Sequence, residues 1–353
     1  MTTVAETGFD WLSQGENLVL AKIAGRQGST PRAAGTQMVV TRGGRIAGTI
    51  GGGLLEAKVM AQCEELLTAG TGRWLRFDLS YTEVAGSDMI CGGGLEVLLL
   101  PIAATSDNIA LFDRWHHMEV SGEEGLLIYA VQRTGEVIEQ FHYALAETDE
   151  RLLGRLPLSA AALEAAIRSG RASAVMQTLH LEGYDLFVEP IRKPKTLFLL
   201  GAGHVALPTA HMAALVGFRV VVLDDREAFA NAERFSEAHA VRVLTDFEHP
   251  FEGLNVDRDS FIVIVTRGHL HDKTALAQAL KTEAAYIGMI GSRRKRDQIF
   301  HRLRAEGFSE ADLQRVHSPI GLDIGAETPE EIAVSIVAEM IEKKRSVKLK
   351  AGS

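Results

Sequence analysis

"FLLGAGHVALPTA", residues 198–210, decides how the C-terminal part of this chain folds. An apolar run ends at Leu200, and Gly201, Gly203 and Ala206 follow in the spacing G-x-G-x-x-G/A ahead of a stretch with helical periodicity. Strand, glycine turn and helix in that order suit a phosphate: glycines let the backbone approach closely, and the first helical turn offers N–H groups without intrahelical acceptors. His204 lies in the same loop, and Pro208 falls within about the first turn of the helix, where a missing N–H costs little. The next apolar run ends in Asp224 and Asp225, roughly 20 residues on, where an acid accepts from a ribose hydroxyl. The competing reading gives the glycines to helix-against-strand packing alone.

Working outward, "TLFLL" (196–200), "RVVVLDD" (219–225), "FIVIVTRG" (261–268) and "AYIGMIG" (285–291) read as strands with helices between them, which predicts a mostly parallel, doubly wound sheet. Ligands of such sheets lie at the carboxyl ends of the strands. There "VTRGHLHDK" places Arg267, His269, His271 and Asp272, and "IGMIGSRRKR" places Gly291, Ser292 and Arg293. H-x-H-D lacks the closed ligand set of a Cys-rich metal site, so contact with a phosphate or substrate is preferred to metal binding. A basic cluster at a helix start opposes the helix dipole unless an anion is present. Thr328, Pro329 and Glu331 form a capping box ahead of the last helix.

The preceding part has a different grain. Residues 1–190 read as a mixed α+β domain, 191–195 with its "RKPK" as a linker, and 196–353 as the Rossmann-like domain. "NLVLAKIAG" (17–25) is a strand, "TQMVVTRGGRIAGTI" (36–50) a hairpin, and "LLEAKVMAQCEELLTAG" (54–70) a helix that turns Cys63 to the core. Strands are expected in "WLRFDLS" (74–80) and "LEVLLLPI" (95–102), so residues 80–94 join them. Between 107 and 190 the pattern yields helices near 108–118 and 159–170 and strands near 126–132 and 184–191, with no chemistry attached.

Three stretches of this domain bear chemistry. In "GSTPR", Ser29, Thr30 and Arg32 combine hydroxyls, a proline-fixed turn and a guanidinium fork into a clamp for an oxyanion. Gly51, Gly52 and Gly53 precede a helix and make a second anion-ready nest. In "DMICGGG" (88–94), Cys91 stands before Gly92 and Gly93. If these loops converge, Arg32 lowers the thiol pKa and Cys91 is a ligand or nucleophile; otherwise it is a buried loop cysteine.

Composition bounds the partners. The 353 residues are 46% apolar, enough for a core in each domain, and 37 Lys and Arg against 46 Asp and Glu give a net charge of −9. That balance offers no footprint for nucleic acid or an anionic membrane. Two cysteines make no disulfide framework, the first residues lack a signal-peptide pattern, and polar residues interrupt the longest apolar run, so the expected setting is the cytoplasm.

With "GSTPR", "GTIGGGLLE", "CGGGLEVLL", "LFLLGAGHVA", "VVVLDDRE", "VIVTRGHLHD" and "YIGMIGSRRK" in this order, the chain resembles the xanthine dehydrogenase accessory factor (XdhC/CoxI) family along nearly its whole length. The resemblance implies a chaperone without turnover of its own. It would bind the molybdenum cofactor, keep it while an oxo ligand is exchanged for sulfur, and deliver it to a molybdenum hydroxylase. A cysteine desulfurase, cofactor-synthesis enzymes and a second copy of the chain are the further partners expected. Cys91 becomes the thiol toward molybdenum, the GSTPR stretch or the Rossmann cleft holds the phosphate, and a dinucleotide form of the cofactor suits the GAGHVA loop. The rival reading is an NAD(P)-dependent oxidoreductase in which His269, His271 or Cys91 handles protons; a third is a structural adaptor.

Overall fold

The computed structural model describes residues 3–27, 32–78, 93–149 and 151–350. The chain divides into two compact units between Lys193 and Pro194.

The first unit carries α1 (Val4–Ser13), β1 (Leu18–Gln27), β2 (Gln37–Thr41), β3 (Ile46–Gly48), α2 (Gly53–Ala69), β4 (Gly72–Asp78) and β5 (Gly94–Ile102). It continues with α3 (Ser106–Ser121), β6 (Gly125–Thr134), β7 (Val137–Glu147), β8 (Leu152–Gly154), α4 (Ala160–Ala172), β9 (Gln177–Leu181) and β10 (Tyr184–Ile191). The strands form one sheet in the order β3-β2-β1-β5-β4-β7-β6-β10-β9, with β8 beside β7. All these pairings are antiparallel.

Successive side chains of β1 serve opposite faces. Leu18 and Leu20 join Trp11 and Leu12 of α1 and Phe112 and Trp115 of α3 in one core. Val19, Ala21 and Ile23 meet Leu55, Val59, Cys63 and Leu66 of α2 in another. The sheet also curls: Lys22 of β1 pairs with Glu189 of β10 and Trp74 of β4 lies 5.6 Å from Phe187 of β10, although other strands stand between them in the sheet. Four elements, α1, β7, β8 and β9, are not expected from the sequence patterns. β7, "VIEQFHYALAE", alternates poorly because its first half is largely exposed and its last four residues are all buried. α1 carries a capping box of Thr3 and Glu6, a local signal that hydrophobic periodicity does not use.

The second unit runs β11 (Thr196–Leu200), α5 (Ala206–Leu215), β12 (Arg219–Asp224), β13 (Ala240–Val243), β14 (Ser260–Ile264), α6 (Gly268–Leu280), β15 (Tyr286–Met289), α7 (Arg293–Ala305), α8 (Glu310–Gln314), β16 (Val316–His317) and α9 (Pro329–Lys350). Its sheet, β13-β12-β11-β14-β15-β16, is parallel throughout. This is the doubly wound order in which the chain reverses direction between β11 and β14, opening a crevice beyond their carboxyl ends. α5 and α9 cover one face and α6, α7 and α8 the other. The two-residue β16 is too short to read from periodicity.

Candidate functional site

At the end of β11 the chain turns through Gly201 with φ +108°, and a Cβ there would stand 2.5 Å from the Val265 carbonyl oxygen. Only glycine fits. Gly203 is glycine for another reason: its φ is not left-handed, and a Cβ there would meet nothing within 4 Å. Packing among the described residues therefore does not require a glycine there. His204 is exposed beside it, and α5 begins at Ala206.

The two acids after β12 differ. Asp224 is buried; its Oδ2 accepts from Ala202 N at 2.7 Å and Arg226 Nη2 at 2.8 Å, and its Oδ1 accepts from Arg226 N at 3.0 Å and Nε at 2.8 Å. Burial pushes its pKa up, but the hydrogen bonds from Arg226 and Ala202 prevail and hold it below the usual carboxylate range. Asp224 thus ties the glycine loop to β12 and is saturated. Asp225 accepts from Arg267 Nη2 at 2.7 Å through Oδ2. Its Oδ1 is buried without a hydrogen-bond partner among the described residues, and Arg226 Nε, at 3.8 Å, is too far to serve as one. Arg226 stacks 3.9 Å over Phe229 while it grips Asp224.

The H-x-H-D stretch points in several directions. His271 packs 5.4 Å from Phe247, while Asp272, fully buried, accepts from Thr266 Oγ1 at 2.6 Å and pairs with Lys295 of α7. His269 lies in the first turn of α6, its side chain outside the described residues. Among the described residues no group of three or more His, Cys, Asp or Glu is placed to hold a metal ion. Ser292 caps α7 by accepting from Lys295 N, Arg293 is exposed, and Gly291 lies beneath the Lys295 stem, 2.7 Å from Cδ to the place of a Cβ.

In the first unit Ser29, Thr30, Cys91 and Gly92 lie outside the described residues. The strands that lead to them are described. Gln27 of β1 stands opposite Gly94 of β5, which stands opposite Asp78 of β4. β1, β3 and β4 all run toward this end, because β3 and β4 are each separated from β1 by an even number of antiparallel steps. The GSTPR stretch, the glycines after β3 and the Cys91 stretch therefore all leave from one end of the curled sheet. Arg32, exposed, and buried Gly93 mark the described margins of two of them. Gly51, Gly52 and Gly53 have φ of +134°, +77° and +56°, and their nest already holds a carboxylate. Glu56 Oε1 accepts from Thr49 Oγ1 at 2.6 Å, Gly52 N at 2.9 Å and Ile50 N at 3.2 Å, so an outside anion must displace it.

Two polar groupings escape the sequence reading. Lys22, fully buried, pairs with Glu189 and lies 4.9 Å over the Tyr129 ring. Glu189 in turn comes within 3.0 Å of the Cβ position of Gly35, at the foot of the GSTPR loop. A lysine two and four residues after Leu20 and Leu18, in a strand apolar on both faces, was the available signal. In the second unit, Glu339 of α9 accepts from Tyr286 Oη at 2.7 Å and Gly321 N at 2.7 Å and bonds His317 Nδ1 at 2.8 Å. Its partners stand 53, 18 and 22 residues away, too far for any local pattern.

Fold and site define a two-unit protein, a curled antiparallel sheet whose strands β1, β3 and β4 end on one side, and a Rossmann unit. The XdhC Rossmann domain matches residues 197–340 and the XdhC and CoxI family matches residues 11–78. The chain belongs to the XdhC/CoxI family. It is 29% identical to a protein of Bacillus subtilis (strain 168) named as a probable xanthine dehydrogenase subunit, over 95% of this chain and 96% of that one. Identity to "Molybdenum cofactor insertion chaperone PaoD" of Escherichia coli (strain K12) is 22% over 96% and 87%. "Uncharacterized protein YqeB" of the same organism is 34% identical over 60% of this chain but only 37% of its own length. A crystal structure of a xanthine dehydrogenase from Bacillus halodurans superposes with a TM-score of 0.81 at 26% identity, covering 99% of this chain and 98% of that one.

Proposed function

We propose that this chain is an accessory factor that binds the molybdenum cofactor as cargo, holds it during exchange of an oxo ligand for sulfur, and delivers it to a molybdenum hydroxylase of the xanthine dehydrogenase type. The carrying observation is that three stretches with oxyanion and thiol chemistry leave from one end of one sheet. Full-length likeness to a protein named as a molybdenum cofactor insertion chaperone supports the same reading.

In this reading Cys91 supplies a soft thiolate toward the molybdenum, and glycines 92 and 93 leave room for the cargo to approach. Arg32, Ser29 and Thr30 hold an anionic group by charge-assisted hydrogen bonds. The Lys22–Glu189 pair braces the foot of that loop from within. A cysteine desulfurase that donates the sulfur, a hydroxylase that receives the cargo, a cytoplasmic setting and a homodimer complete the proposal. Turnover of a substrate by the chain itself is not part of it.

The test is retention of pterin. The protein is made in cells that synthesise the cofactor, purified without oxygen, and its pterin is oxidised and read by fluorescence beside Cys91→Ala. Wild type retaining pterin, and the variant losing most of it, is the expected result. Absence of pterin from wild type even after loading with isolated cofactor overturns the reading.

A further inference from the structure

We propose that the crevice of the Rossmann unit binds a nucleoside diphosphate ester whose ribose hydroxyls are both free, and that the Asp225–Arg267 pair opens to receive it. Asp225 follows β12 and Arg267 follows β14, and these strands flank β11 on either side. Their ion pair therefore bridges the crevice beside the glycine loop, where the fold places a pyrophosphate. Two observations point to a missing occupant. Gly203 leaves a space in which a Cβ would meet no atom of the described residues within 4 Å, though its backbone would accept a side chain. Asp225 Oδ1 is buried with no hydrogen-bond donor among the described residues, a costly condition that a ribose hydroxyl would relieve.

Asp224 is excluded as the ribose acceptor because the Ala202 N–H and the Arg226 guanidinium already fill it. The same contacts decide the ribose chemistry. A 2′-phosphate needs a cation where the ribose sits, but Arg226 is committed to Asp224 and stacked on Phe229, and Arg234 is committed to the carbonyls of Ala202 and Phe229. Among the described residues, with Arg267 turned to the pyrophosphate, what remains there is the Asp225 carboxylate, which repels phosphate and accepts from a hydroxyl. Once ligand enters, Arg267, half exposed, turns from Asp225 to the pyrophosphate and Asp225 to the ribose. Each partner exchanges one charge-assisted bond for another.

This chemistry has two sources, NAD or a nucleotide-bearing form of the pterin cargo. The full-length protein is titrated with NADH, NADPH, ADP-ribose, 2′-phospho-ADP-ribose, adenosine, and the diphosphates of the other nucleosides. At least one free-hydroxyl diphosphate is expected to bind about tenfold or more tightly than its 2′-phosphorylated counterpart or than a bare nucleoside. A preference for adenine points to NAD, and a preference for another base points to nucleotide-bearing cargo. Arg267→Ala weakens every diphosphate roughly tenfold and leaves adenosine unchanged. Asp225→Asn removes the discrimination against the 2′-phosphate. Gly203→Ala keeps the melting temperature of wild type, because nothing obstructs the new methyl group, yet loses diphosphate binding.

The proposal is overturned if no diphosphate binds at millimolar concentration, if the 2′-phosphorylated ligand binds as tightly as the free one, or if Gly203→Ala binds like wild type. Pterin retention and nucleotide binding are separate readouts, so either proposal can fail while the other stands.

Discussion

A fully buried lysine is costly, and Lys22 is tolerated because Glu189 and the Tyr129 ring face it inside the curled sheet. Removing one partner leaves the other charge uncompensated. Glu189→Ala is therefore expected to lower unfolding free energy by about 3 kcal/mol, read from urea midpoints, while Lys22→Met with Glu189→Gln recovers most of it. A double variant as unstable as the single one would refute the pairing. "NLVLAKIAG" announces the strand but not the ion pair, since Glu189 lies 167 residues away and only the curl of the sheet brings it near. The thiols divide on the same principle. Helical spacing predicts the buried Cys63, whose pKa burial pushes up and whose Sγ donates to Val40 O at 3.6 Å. The environment of Cys91 depends on which loops meet, and that is decided beyond its own neighbourhood.

The glycines ahead of α2 carry the same distinction up to a whole element. Their sequence reads as an open anion nest, and the backbone does turn its N–H groups inward. The occupant is Glu56, one helical turn into α2, whose carboxylate fastens Thr49, Ile50 and Gly52 to the helix start. Glu56→Ala is expected to cost about 1–2 kcal/mol in urea unfolding and to leave the nest open to an added oxyanion such as sulfate, which then restores stability. Unchanged stability, or no response to sulfate, would count against the role. Other elements were legible to the residue. Thr328 and Glu331 cap α9 reciprocally, and Gly70 ends α2 in a left-handed turn, because caps are local. β7 and β16 were not, because β7 is largely exposed at one end and buried on both faces at the other, and β16 has only two residues.

Across the second unit as a whole, Glu339 joins α9 to β15, β16 and the turn at Gly321. Burial pushes its pKa up, but hydrogen bonds from His317, Tyr286 and Gly321 outweigh burial and bring it down to about 2, below its ordinary 4.5. A depressed carboxyl stabilises the fold above its ordinary pKa and loses that contribution as pH falls through the folded value. Wild type is thus expected to lose on the order of 3 kcal/mol relative to Glu339→Gln between pH 4.5 and pH 2, measured by urea unfolding at each pH. A gap that does not change with pH would contradict the assignment. Legible along the chain were its local and periodic features: the strand–glycine–helix turn at 198–210, the alternating order that makes a parallel sheet, and the caps. Which polar groups are already satisfied was settled only in three dimensions. Glu56 fills one nest, Arg226 saturates Asp224, and Arg267 bridges to Asp225, leaving one of its oxygens without a donor among the described residues. Hydrogen bonds act over about 3 Å in space regardless of separation along the chain, so no periodicity records them.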